Sequence, residues 1–279
     1  MILLVAVCTP VFLHFLLFRK GVKLLIRKGV VRSNYAGQVI PTAGGLFFAL
    51  YHTVTLLLLT TIAREMRWAE AEVKQLILMV GGSLAMALWG WLDDRSKDQD
   101  VKGFRGHLST LWQEGRMTSG LLKAWAGTAT SLLVALPLST DIGGLLIHAG
   151  LLALAANLIN LFDLRPTRAI KVFWLILLLV VSGAWQAFDL YLWILPALMS
   201  TIVLFLPDGR QQIMLGDTGS NCLGFLAGFL LITTQSMTMK IILLGLMVIL
   251  HVLAEFISFS RVIQAVGWLR RIDQWGRET

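Results

Sequence analysis

Four short polar stretches interrupt an otherwise apolar chain: PTAGG at 41–45, WGWLDDRSK at 89–97, NLINLFDLRPTRAIK at 157–171 and IMLGDTGSN at 213–221. Asp93, Asp94 and Asp217 supply hard carboxylate oxygens, and Mg²⁺ favours one or two carboxylates with phosphate oxygens and water in the remaining positions. Gly216 and Gly219, ahead of an apolar helix, offer free N–H groups and a positive dipole end, both suited to an anion. Arg165, Arg168 and Lys171 follow Asn157, Asn160 and Asp163 and can neutralise phosphate charge. Carboxylates, a metal and anion-binding backbone at one membrane face point to phosphoryl transfer onto or from a lipid, where catalysis is mainly positioning and charge neutralisation.

Each stretch alone has an ordinary reading. Adjacent aspartates after a span are compatible with a solvated loop, and two asparagines three apart with hydrogen bonding between membrane helices. GDTGS suits a turn followed by a helix cap from Thr218 or Ser220. PTAGG suits a Pro-initiated helix with small residues for close packing. Their joint occurrence on one face favours the chemical reading.

The elements that must position these residues follow from composition. Of 279 residues, 57% are hydrophobic and only 14% charged, and mean hydropathy is +0.75. A soluble domain carries about 25% charged residues. The apolar residues come in long blocks, near 2–18, 42–63, 75–92, 119–137, 142–162, 170–188, 190–206, 219–235 and 240–257. The expected fold is an all-α polytopic membrane protein of about nine transmembrane helices forming a single domain, because helices satisfy their backbone groups within lipid. Alternating segments of a β-barrel are absent. Cys8 and Cys222 lie in apolar runs and suggest neither a disulfide framework nor a metal knuckle.

Alternating the connections places loops 19–41, 93–118, 163–169, 207–218 and 258–279 on one side. Of the 24 cations, only Arg64, Arg67, Lys74 and Lys240 fall on the other. The positive-inside rule then puts the loops in the cytoplasm, the N-terminus outside and the C-terminus cytoplasmic. The first apolar run precedes its cations, the reverse of a signal peptide, and is expected to be a retained span. The +8 charge reflects this bias and attraction to anionic headgroups. No basic module with interleaved aromatics points to nucleic acid.

The order PxxGG, GxLDDR, NxxNxxD and LGDTGS, spread over residues 37–225, resembles the polyprenyl-phosphate N-acetylhexosamine-1-phosphate transferase family. That resemblance implies a bacterial plasma-membrane enzyme of envelope glycan synthesis. It would transfer sugar-1-phosphate from a UDP-sugar to undecaprenyl phosphate with Mg²⁺, releasing UMP, and a homodimer is compatible with it. Asp93 and Asp94 match the family's paired aspartates, near lipid phosphate and metal, and Asp217 its metal-binding aspartate. Asn157, Asn160 and Asp163 match the segment lining the nucleotide end, and Lys123 matches a lysine opening the next span. The expected site is therefore catalytic Asp93, Asp94 and Asp163, and Mg²⁺ on Asp217 and Asp94. Asn157, Asn160, Lys123, Arg165, Arg168, Gly216 and Ser220 are expected to contact substrate.

Two departures stand out. Where the family continues DGxDG, this chain reads DLRPT, with Leu164, Pro166 and Thr167 replacing glycine, aspartate and glycine. Pro166 fixes its own φ and biases Arg165 toward extended backbone. The family's HxHH motif is also missing; Arg261, Arg270 and Arg271 lie in the last polar segment instead, and arginine binds diphosphate but cannot shuttle a proton. The alternative expectation is a catalytically inactive homologue that binds polyprenyl phosphate or a partner in envelope assembly.

Overall fold

A computed structural model describes residues 2–64, 70–96, 119–183 and 188–278. Most of the 93–118 loop, with Lys97, Lys102, Arg105, His107 and Arg116, lies outside the described residues, as does Arg67.

Among the described residues the regular structure is helical apart from one small antiparallel pair. The helices are α1 (Ile2–Arg27), α2 (Gly45–Arg64), α3 (Glu70–Arg95), α4 (Ser119–Ala135), α5 (Ile142–Phe162), α6 (Arg168–Gly183), α7 (Phe188–Gly209), α8 (Gly216–Thr234) and α9 (Met237–Phe256). Two short helices, α10 (Phe259–Ala265) and α11 (Gly267–Gln274), end the chain. Among the described residues seven helices are long and apolar enough to cross a membrane: α1 to α5, α7 and α9. An all-α polytopic membrane protein is thus the class observed, as expected, with seven such helices rather than nine among the described residues. Of the other two expected spans, 170–188 corresponds to α6, whose 16 residues stop at the edge of the described segment. The span 219–235 corresponds to α8, whose first six residues, GDTGSN, dilute its apolar run.

Inside the expected 19–41 loop, α1 continues to Arg27. Beyond it, β1 (Val31–Ser33) pairs with β2 (Val39–Pro41), Val31 opposite Pro41 and Ser33 opposite Val39. Asn34 closes the turn, its Oδ1 accepting from Ala36 N and Gln38 N at 2.9 Å, the side-chain-to-backbone bonding that makes Asn a turn residue. At the far end, Asp141 caps α5 by accepting from Gly144 N at 2.9 Å, and Ser236 caps α9 through Met239 N.

The core centres on α8, where every residue from Thr218 to Ile232 is buried. A helix apolar all round belongs inside a bundle, and α5, α3, α2 and α6 surround this one. Two close approaches seat its first turn. A Cβ on Gly90 of α3 would lie 2.2 Å from Asp217 O, and one on Gly45 of α2 would lie 2.0 Å from Gly219 N. Both neighbours are backbone, so neither position admits a larger residue without moving a helix. The PTAGG strand-end is strapped to the same region: Met214 N donates to Pro41 O at 2.8 Å, Gly44 N to Met214 O at 2.8 Å and Gly45 N to Leu215 O at 2.9 Å.

Gly90→Val is expected to destabilise the protein by about 1–3 kcal/mol or more through overpacking, read as a lower melting temperature in detergent. Gly81→Val, at a position with nothing within 4 Å of a built Cβ, should leave melting nearly unchanged. Equal behaviour of the two variants would refute the close α3–α8 contact.

Candidate functional site

The described parts of the five loops expected on one side meet at one end of the bundle. Arg32 of β1 donates to Asp93 O at 2.5 Å, and Asn34 to Gln211 Oε1 at 2.5 Å. Thr167 N donates to Asp208 Oδ2 at 2.5 Å, and Glu278 N to Gly209 O at 3.2 Å. Ser139, His148 and Lys240 form a separate polar group at the opposite end, Ser139 Oγ at 2.9 Å from His148 Nδ1 and Lys240 Nζ at 3.1 Å from His148 Nε2.

The paired aspartates divide between two tasks. Successive helical side chains project about 100° apart, so Asp93 and Asp94 face different neighbours. Asp94 is 5% exposed and points into the start of α8. Its Oδ2 accepts from Thr218 N at 3.0 Å and Thr218 Oγ1 at 2.6 Å, and its Oδ1 accepts from Asp217 N at 3.2 Å and Thr42 Oγ1 at 3.4 Å. Gly216, at φ +70°, makes room: a Cβ there would stand 2.7 Å from Asp94 Oδ2 and from Thr42 Oγ1. The first amides of α8, expected to be free for an anion, are therefore taken by a carboxylate of the same chain.

Asp93 instead turns to Lys123 of α4, whose Nζ lies 3.4 Å from Asp93 Oδ2 and bonds Asp217 Oδ2 directly. These three side chains keep 16–21% of their surface exposed. They form the partly open group of the cluster, whereas Asp94 is closed off. Among the described residues no three His, Cys, Asp or Glu side chains form a metal cage. A pair of carboxylates nevertheless fits Mg²⁺, which completes its shell with substrate phosphates and water. Asp93 and Asp217 are the better-placed pair, since the oxygens of Asp94 are already engaged.

Asp163 ends α5, its N–H bonded to Asn160 O at 3.1 Å. Burial, followed by the carboxylates of Asp208, Asp217 and Asp94, pushes its carboxyl well above the ordinary range, against the pull of the Gly216 amide. Asn160 Oδ1 accepts from Ser220 Oγ at 3.1 Å, joining α5 to α8; Asn157, one turn earlier, is exposed. Arg165 stacks over the Tyr35 ring at 4.2 Å. Arg168 is buried and committed elsewhere: Nε and Nη2 grip Asp273 at 2.7 and 3.0 Å, and Nη1 donates to Ser260 Oγ at 2.9 Å. Burial raises the Asp273 carboxyl, but Arg168 and Arg277 outweigh it and hold it below its ordinary value. Lys171 bonds the carbonyls of Asp273 and Trp275.

No protein-family model matches this chain, and no curated protein matches it. Its functional reading therefore rests on this geometry and on the residues that compose it.

Three participants escaped the sequence reading. Asp208, 6% exposed, ends an apolar helix just as Asp93 and Asp94 do, and that placement was the available signal. Arg32 was legible only as a topology-setting cation, because its contact with Asp93 O spans a fold rather than a motif. Thr42, inside PTAGG, declares itself only through Asp94.

A carboxyl raised in the folded state favours the protonated form, so its contribution is fully present below the unfolded value, about 4, and is lost as pH rises through the folded value. Asp163→Asn is accordingly expected to gain melting temperature over the unsubstituted protein as pH rises above about 4 in metal-free detergent, with the two curves meeting in acid. An Asn variant that is less stable at neutral pH would contradict the like-charge crowding.

Proposed function

We propose that the chain is a divergent polyprenyl-phosphate sugar-1-phosphate transferase, using a UDP-sugar donor, undecaprenyl phosphate and Mg²⁺. The observation that carries this reading is the convergence of Asp93, Asp217 and Lys123 from three different helices, with Asp163 close by, at one end of a membrane bundle. In this reading α6 and α8 complete nine spans, the N-terminus lies outside, and the acidic end faces the bacterial cytoplasm. The excess of cations in the segments at that end supports the orientation.

Asp93 and Asp217 would hold the metal, and Mg²⁺ when bound offsets charge on the diphosphate. Lys123 and Arg32 add positive charge at the same place. Asn157, which is exposed, and Arg165, on the Tyr35 ring, would meet the donor. A lipid phosphate oxygen forms a bond to the β-phosphorus of the nucleotide sugar. The bond from that phosphorus to the bridging oxygen breaks, and UMP departs with its electron pair. The attacking phosphate is anionic, so the step needs no proton transfer. The missing histidines therefore do not forbid it.

A second reading, a homologue that binds polyprenyl phosphate without turnover, draws support from two commitments. Arg168 belongs to Asp273 and the α8 amides belong to Asp94, so neither is available to a diphosphate.

Purified protein given undecaprenyl phosphate, Mg²⁺ and a panel of UDP-sugars should release UMP, and Asp217→Asn should lower the rate by about 100-fold or more, as loss of a charge-stabilising group does. Lys123→Met should fall in the same direction, while Arg168→Met should lower stability by about 3–5 kcal/mol as a broken buried ion pair. No release above the Asn variant with any donor, together with retained lipid binding, would favour the binding homologue.

A further inference from the structure

We infer that the C-terminal helices form an interfacial anchor that lies in the bilayer surface and engages anionic phospholipid headgroups. In α11 and its cap, Trp268, Ile272 and Trp275 recur at i, i+4 and i+7, which sets them on one face. They are 65%, 53% and 60% exposed, while Asp273 on another face is buried. The element cannot roll to hide its apolar face. Arg168 holds Asp273 from α6, Arg277 bonds both Asp273 and Pro166 O, and Lys171 bonds the carbonyls of residues 273 and 275. An apolar face locked outward suits lipid as its solvent.

Depth points the same way. The Trp275 ring lies 5.0 Å from Phe205 and 6.4 Å from Trp174. Those rings stand four residues before the end of α7 and six after the start of α6. At 1.5 Å per residue the Trp275 level is about 6–9 Å inside the helix ends. An interfacial helix sinks its apolar face about 5–10 Å into the headgroup boundary, the zone where Trp is enriched. Charge identifies the lipid. Arg261, Arg270 and Arg271 are exposed and have no ion-pair partner among the described residues. The acids within the segment are engaged elsewhere, Asp273 by Arg168 and Arg277, Glu278 by Arg210 at 2.8 Å. Unpaired arginines beside an apolar face at this level match anionic headgroups.

The test uses the full-length chain, with exposed Cys8 changed to alanine and buried Cys222 kept. A spin label is placed at I272C and the protein reconstituted in phosphatidylcholine vesicles with or without phosphatidylglycerol. Labels at the exposed turn residue Gln38 and at outward-facing Val248 within α9 give the water and lipid references. The label at 272 should favour oxygen over an aqueous nickel chelate, between the two references. Phosphatidylglycerol should shift it further toward the lipid reference, and the double reversal R270E/R271E should abolish that shift. Accessibility at 272 equal to that at 38 in both vesicles would overturn the anchor. A phosphatidylglycerol shift that is absent, or that survives the reversal, would overturn the headgroup assignment.

Discussion

The start of α8 is the constraint on which the rest of the arrangement depends. A helix exposes unsatisfied N–H groups in its first turn and a partial positive charge beside them. Here that turn lies inside the bundle, buried from Thr218 onward, where an unpaired amide is costly. Asp94 resolves this with one carboxylate from another helix, accepting from two successive amides and a hydroxyl of α8. The attraction is mutual: the helix start compensates a charge buried with it. Reaching that position requires α3 to pass against α8 with no side chain between, which is why Gly90 sits one turn before Asp94. The same crowding fixes Gly45 and Gly216.

Once Asp94 is fixed, the rest of the cluster follows from helix geometry. Its neighbour Asp93, about 100° further round α3, cannot share those amides and instead meets Lys123 beside the Asp217 carboxylate. Asp217, the second residue of α8, has its amide on Asp94 and its carboxylate on Lys123. A backbone contact and a side-chain contact on opposite sides of one residue leave it little freedom. The open carboxylate pair is thus positioned by the closed one, in the way that supporting groups orient metal ligands and catalytic groups elsewhere.

The sequence made the helical membrane class legible because apolar blocks of span length have few other uses, and it made the shared end legible because alternating connections sort the polar stretches by parity. It also pointed to Asp93, Asp94, Asp163 and Asp217, since carboxylates bordering apolar runs carry a visible cost. What it could not divide was labour between adjacent aspartates: identical side chains at 93 and 94 differ only in what lies opposite. Gly216 and Gly219 looked like an anion cradle for a similar reason. Free amides are implied by helix position alone, whereas their occupation by Asp94 depends on a contact 123 or more residues distant. Arg168 illustrates the same limit, its partner Asp273 standing 105 residues away in a segment read as a tail of arginines.

The LRPT stretch acquires a different meaning from these contacts. Thr167 holds a left-handed φ of 63°, a conformation that β-branched residues rarely adopt. Such strain persists only where surroundings over-determine it. Asp208 takes the Thr167 amide, Arg277 takes the Pro166 carbonyl, and the Arg168–Asp273 pair pins the next residue. A glycine turn would leave this loop adaptable, paying an ordering cost when a ligand arrived. A loop clamped from both the α7 end and the C-terminal segment is already ordered and presents a preformed wall. Preorganisation of that kind narrows what can bind while removing part of the entropic cost of binding it. The LRPT residues therefore give the loop beside Asp163 rigidity in place of adaptability, and the C-terminal helices, through Asp273 and Arg277, are the structure that makes this possible.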